Sequence, residues 1–257
     1  MRNIKLTLAY DGVKFHGWQI QPGVATIQGS LTDVVRKITQ EPVTIHGASR
    51  TDAGVHALGQ VASFKTRSAL TAEELRRALN ALLPPAIRVV AAEEMGPDFH
   101  ARWRAMEKTY HYRIFRGAVV SPFEYRRVLH YPYPLNEKTM AAAAKCFVGE
   151  HDFTSFTASS GSEETDKDRS PVRMICRSEL ERRAEEQEIV YIVTGKSFLR
   201  YMVRKIVGTL LEVGRGKLGV EEIPELFEAR DRSRSGPTAP PEGLYLVSLK
   251  YPEPWKI

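Results

Sequence analysis

From position 46 to 57 the chain reads His-Gly-Ala-Ser-Arg-Thr-Asp-Ala-Gly-Val-His-Ala, which sets one carboxylate, Asp52, between an arginine and a glycine-rich turn. Apolar, strand-like residues flank it at 43–45 and 60–64. A loop hung between strands can present a reactive group without burying unpaired backbone. Asp52 is therefore a candidate nucleophile or base, with Arg50 as a nearby cation. The same spacing fits an Asx turn, in which the side chain bonds its own backbone.

A second candidate lies in residues 197–211, Ser-Phe-Leu-Arg-Tyr-Met-Val-Arg-Lys-Ile-Val-Gly-Thr-Leu-Leu. Its apolar residues fall in adjacent pairs that make one broad helical stripe. Arg200 falls at the edge of that stripe and Arg204 just beyond it. Guanidiniums on partly desolvated stems call for a carboxylate or phosphate partner, and the arginine fork grips two oxygens at once. A structural salt bridge satisfies the same requirement. In residues 108–115, Lys-Thr-Tyr-His-Tyr-Arg-Ile-Phe, alternation places Tyr110, Tyr112 and Ile114 on one strand face. A tyrosine there can stack on a base and handle a proton, or simply fill a core. The histidines near Asp52 also raise a metal site or a Ser49–His56–Asp52 triad. No HExxH or CxxC pattern supports the first, and one turn seldom holds a whole triad.

These residues must be positioned by a chain of 257 residues, 42% of them hydrophobic, which is enough for one large core or two smaller ones. Two cysteines, Cys146 and Cys176, supply neither a disulfide framework nor a metal cage. No apolar run approaches a membrane span and the start, Met1-Arg2-Asn3-Ile4, lacks a signal-peptide core. A soluble cytoplasmic protein is expected. The net charge of +6 favours an anionic partner.

Period-two and β-branched runs predict strands at 4–10, 43–45, 60–66, 88–94, 108–116, 173–181, 188–196 and 244–251. Helical spacing predicts helices at 27–39, 71–83, 137–148, 198–213 and 221–229. Thr71 with Glu74 is a capping-box signature, and Gly149 is read as the close of the third helix. Strands and helices occur in both parts of the chain, so the class is α+β with a substantial mixed sheet. The expected division is an N-terminal half, 1–104, carrying the Asp52 loop, and a C-terminal half, 105–257, carrying the Tyr110 strand and the Arg204 helix. Residues 158–171 and 230–242 are polar or rich in proline and arginine and are read as mobile surface loops.

Taken together, the segments resemble the tRNA pseudouridine synthase A family. The match begins with Tyr10-Asp11-Gly12, Phe15-His16-Gly17-Trp18-Gln19 and Ile27-Gln28. It continues through Arg50-Thr51-Asp52-Ala53-Gly54-Val55-His56-Ala57, Asp98-Phe99-His100-Ala101-Arg102 and Lys108-Thr109-Tyr110-His111-Tyr112. It ends with His151-Asp152-Phe153-Thr154-Ser155-Phe156, residues 198–208 and Gly243-Leu244-Tyr245-Leu246. The order of these motifs is the family's order over nearly the whole chain. The resemblance implies the pseudouridine synthase fold: a large, mostly antiparallel mixed sheet flanked by helices, in two similar halves with a central cleft. It implies a homodimer that isomerises uridine to pseudouridine in the tRNA anticodon arm, at positions 38, 39 and 40, with no cofactor and no metal. Carried over by position, Asp52 begins cleavage of the bond between ribose and N1, and Arg204 pairs with it. Tyr110 stacks on the target base and helps remove the C5 proton, while Arg50 fills the space left by the extruded nucleotide. Lys14, His16, Arg102 and Lys205 are candidate phosphate contacts, and Arg200 is a further substrate-binding candidate. A non-catalytic tRNA-binding or folding module is the alternative that charge and aromatics also fit.

Overall fold

Thr26 starts the first helix by accepting the Gly29 N–H at 3.2 Å, and the αL residue Gln40 ends it. The computed structural model describes residues 1–157 and 170–252. The chain divides into two units, Met1–Lys108 with Tyr245–Ile257, and Thr109–Leu244.

In the first unit β1 (Arg2–Tyr10) pairs antiparallel with β3 (His56–Thr66) and with β4 (Ile87–Met95), in register Ile4↔Phe64 and Leu6↔Ala62. The short β2 (His46–Gly47) pairs with β3. The last strand, β10 (Leu244–Lys250), runs parallel to β3 through Tyr245↔His56 and Leu246↔Ala57. Period-two alternation buries Ile4, Leu6 and Leu8. Against this sheet lie α1 (Ile27–Thr39), which buries Ile27, Leu31 and Val35, and α2 (Ala72–Leu82). Thr71 and Glu74 form the expected capping box, each side chain taking the other's backbone N–H.

The second unit contains most of β5 (Glu107–Phe115), with Tyr110, Tyr112 and Ile114 buried along one face as alternation predicts. Its strand order is β5, β9 (Glu188–Gly195), β8 (Val172–Arg183), β7 (Gly149–Asp152), and β6 (Leu129–His130) lies beside β5. Its helices are α3 (Glu137–Lys145), α4 (Met202–Gly214) and α5 (Glu222–Ala229). Both units are α+β with mostly antiparallel pairing, and among the described residues no helix is long and apolar enough to cross a membrane.

Several expectations need correction. Residues 43–45 do not form a strand, although Val43 and Ile45 are buried. Their carbonyls are taken by α1 side chains, Val43 by Arg36 (3.4 Å) and Ile45 by Gln28 (2.9 Å). The third helix stops at Lys145, and Gly149, at φ +117°, opens a strand instead of closing a helix. The fourth begins at Met202, because Tyr201 takes a left-handed conformation (φ 60°, ψ 3°) that the helix cannot contain. The loop of 158–171 falls mostly outside the described residues. The other supposed mobile segment, 230–242, is anchored on α4. Gly236 N–H donates to Thr209 Oγ1 (2.9 Å), Ser235 Oγ to the Ser155 carbonyl (2.7 Å), and Ala239 N–H to the Arg204 carbonyl (3.1 Å). A Cβ on Gly236 would lie 2.5 Å from Gly208 backbone, so the strap and the helix touch backbone to backbone.

Candidate active site

The Asp52 loop joins β2 to β3 and is fixed at several points by hydrogen bonds. Ala48 N–H donates to the Val61 carbonyl (2.8 Å). The Gln60 side chain, fully buried on β3, then grips Ser49 from both sides. Its Oε1 accepts the Ser49 N–H (3.2 Å) and its Nε2 donates to the Ser49 carbonyl (2.7 Å). The same amide reaches the Tyr10 hydroxyl (3.4 Å), which shares a 2.8 Å bond with Thr51 Oγ1.

A second loop interlocks with the first. Trp18 N–H donates to the Thr51 carbonyl (3.0 Å) and Gly54 N–H to the Phe15 carbonyl (3.3 Å). Gly17 permits this approach: its φ is +88°, and a Cβ there would stand 2.6 Å from the Thr51 oxygen. Asp52 is half-buried at the head of a turn closed by Val55 N–H donating to its own carbonyl at 3.1 Å. Arg50 on the same loop, and Lys14 and His16 on the interlocking one, are exposed.

His56, four residues on, is committed elsewhere. Its Nδ1 accepts the Gly12 N–H (3.2 Å) and its ring stacks on Tyr245 at 4.7 Å. An Nδ1 that accepts a backbone N–H leaves the ring proton on Nε2, so the 3.3 Å approach of Asp11 to that same nitrogen is not an ion pair. The Gly12 N–H and the Tyr245 ring thus fix the His56 ring in the scaffold. Among the described residues no three His, Cys, Asp or Glu side chains gather as a metal site requires.

Sequence reasoning missed Gln60, Tyr10 and Lys108. Lys108 Nζ donates to the Ala48 carbonyl at 2.8 Å, and burial together with the nearby Arg102 brings its pKa down to about 8. Arg102 itself is exposed. A glutamine inside an apolar strand was the available signal, since buried polar groups are almost always bonded.

In the second unit Tyr110 is buried on β5, with Phe198 edge-on to its ring at 5.0 Å and 78°. Arg204 lies in the first turn of α4. Its Nε donates to the Ala239 carbonyl (2.7 Å), and its guanidinium carbon is 4.9 Å from the Tyr201 ring centroid. Arg200 precedes the helix and lies 5.0 Å from the same ring. The two arginines therefore meet around the left-handed Tyr201 and not along one helix face. Lys205, expected as a phosphate contact, has its ammonium on the carbonyls of Arg232 (3.1 Å) and Gly236 (3.0 Å), so it fastens the strap. Tyr112 donates to the Pro240 carbonyl at 2.8 Å, and burial pushes its pKa up.

Residues 7–104 and 143–252 match a protein-family model described as tRNA pseudouridine synthase. A Solibacter usitatus protein named tRNA pseudouridine synthase A is 52% identical over 252 residues, covering 98% of this chain and all of that one. Proteins of the same name from Acetivibrio thermocellus and Limosilactobacillus fermentum are 44% and 45% identical. They align over 98% and 99% of this chain and 100% and 98% of their own lengths.

Proposed function

The chain belongs to the tRNA pseudouridine synthase family and is an isomerase that makes pseudouridine in tRNA; from this premise we propose that its targets are uridines 38, 39 and 40 of the anticodon arm. In this reading Asp52 initiates cleavage of the C1′–N1 bond. The uracil rotates, C1′ bonds to C5, the C5 proton leaves and N1 gains one. No electrons are exchanged overall. Arg204 pairs with Asp52 and keeps it ionised, since an opposite charge within bonding reach favours the carboxylate.

An enzyme acting on a base in a stem must extrude it, which costs a few kcal/mol of stacking and pairing. Stacking on an aromatic ring returns about 1–3 kcal/mol per base. Tyr110 supplies that ring and its hydroxyl takes part in removing the C5 proton, while Arg50 occupies the vacated space. Arg200, Lys14, His16 and Arg102 contact phosphates, which position RNA without reading its sequence. The working form is a cytoplasmic homodimer.

The observation that carries this reading is the construction of the Asp52 loop. A half-buried carboxylate stands within the family's own motif, on backbone held by the Gln60 amide, the Tyr10–Thr51 bond and the Gly17 approach. Purified protein incubated with unmodified tRNA should yield pseudouridine at positions 38–40, read by carbodiimide-block sequencing. Asp52→Ala should bind that tRNA as the parent does and yield none. Product from this variant at the parental rate would remove Asp52 from the chemistry, and a parent that binds tRNA without forming product would be a binding module instead.

A further inference from the structure

The segment between β4 and β5 ends in an open aromatic stack. The His46 ring, on β2, lies 4.6 Å from that of His100, and His100 stacks on Trp103 at 4.0 Å with 12° between the planes. His100 Nδ1 accepts the backbone N–H of Arg102 (3.1 Å) and of Trp103 (3.4 Å), so the ring is held at a fixed angle to the turn it closes. Burial, with His46 and Arg102 nearby, lowers the His100 pKa, which keeps that ring neutral within the stack.

The turn is anchored at its base. Asn3 Nδ2 donates to the carbonyls of Gly96 (3.0 Å) and Phe99 (2.9 Å). Ala101 N–H donates to Ser63 Oγ (3.1 Å), and the Tyr251 hydroxyl donates to the Ala101 carbonyl (2.7 Å). On this rigid support Trp103 is 78% exposed, between the exposed Arg102 and Arg104. The contact with His100 covers part of the indole, and most of the residue's surface stays open. An indole at the open end of a ring stack, flanked by guanidiniums, has the composition of a surface on which single-stranded bases stack. The stack also grows from β2, the strand that leads directly into the Asp52 loop.

We propose that Trp103, flanked by Arg102 and Arg104, is a stacking platform for an unpaired base of the tRNA other than the uridine being isomerised. This rests on the reading of the chain as a tRNA-modifying enzyme. RNA is favoured over a protein partner because the neighbours of the indole are arginines and unpaired bases are what RNA-binding aromatics engage.

The test is tRNA affinity in an Asp52→Ala background, where turnover cannot confuse the reading. Trp103→Ala should raise Kd by about 5- to 50-fold, and Trp103→Phe should hold it within about threefold of the parent. The slope of log Kd against log salt should be the same for Trp103→Ala as for its parent, since the indole carries no charge. The double substitution Arg102→Gln, Arg104→Gln should flatten that slope by about 2. Parental affinity in Trp103→Ala overturns the platform, as does a change in its sedimentation mass, which would make Trp103 a protein–protein contact. The Kd series decides the platform whether or not the wild-type chain forms pseudouridine, and wild-type turnover separately decides the function.

Discussion

Gln60→Leu removes the buried amide that holds Ser49 while nearly preserving side-chain volume. The substitution leaves the Ser49 N–H and carbonyl without their present partners, which sit at 3.2 and 2.7 Å. Each unsatisfied buried group costs about 1–3 kcal/mol. Because Ser49 is only partly buried and water can reach it, the total is about 2–4 kcal/mol, within the 5–15 kcal/mol that holds a typical domain together. The chain should therefore fold, with the Asp52 loop displaced. Misplacing a reacting group by about 1 Å costs about 100-fold in rate, so kcat at saturating tRNA should fall about 10- to 100-fold. The tRNA Kd should stay within about threefold, because Gln60 is fully buried. Gln60→Glu sharpens the test. A neutral carboxyl can accept from the Ser49 N–H and donate to its carbonyl, but burial raises the carboxyl pKa and makes ionisation disruptive. That variant should work best at low pH and lose kcat as pH rises and its proton leaves. Wild-type kcat in Gln60→Leu, or a pH profile for Gln60→Glu parallel to wild type, would refute the reasoning.

Gly208→Ala should displace the strap, since its Cβ would meet Pro237 backbone; hydrogen exchange over 230–242 should rise and pseudouridine formation fall by at least about 10-fold as Arg204 loses the Ala239 carbonyl. Lys108 predicts a pH dependence of stability. Its folded pKa of about 8 lies below the ordinary lysine value, so between pH 8 and about 10 the unfolded chain holds a proton that the folded chain has released, and stability rises with pH. Urea unfolding should show wild type gaining on Lys108→Met over that window by up to about 1 kcal/mol per pH unit, and a flat difference would contradict the assignment.

Local signals were legible where the physics was local. The bounds of α1 follow from Thr26 and an unbroken helical period, and the start of α2 from the Thr71–Glu74 exchange. The inward face of β5 follows from alternation alone. Asp52 was visible as a carboxylate on a glycine-rich turn, but the residues that fix it were not, because the Gln60–Ser49 and Tyr10–Thr51 pairs are 11 and 41 residues apart. The wheel drawn through Arg200 failed at Tyr201, whose left-handed backbone has no sequence mark of the kind glycine leaves. The strap misled for the opposite reason. Its prolines and arginines have the composition of a loose loop, while its order comes from a backbone approach at Gly208 and an ammonium from another element.

Two part-buried lysines are held in the same way. Lys108 and Lys205 are each bonded to carbonyl oxygens, and each has its pKa lowered by burial and by a neighbouring arginine. Arg116 is held the same way, on the carbonyls of Tyr131 and Tyr133, whereas Arg2 is set on Glu94 and Arg113 on Glu188. A carbonyl satisfies the ammonium's hydrogens but leaves its charge uncancelled, so burial there is tolerated at a cost in stability. A carboxylate placed beside either lysine should therefore steady the fold, raising its urea midpoint above that of the parent.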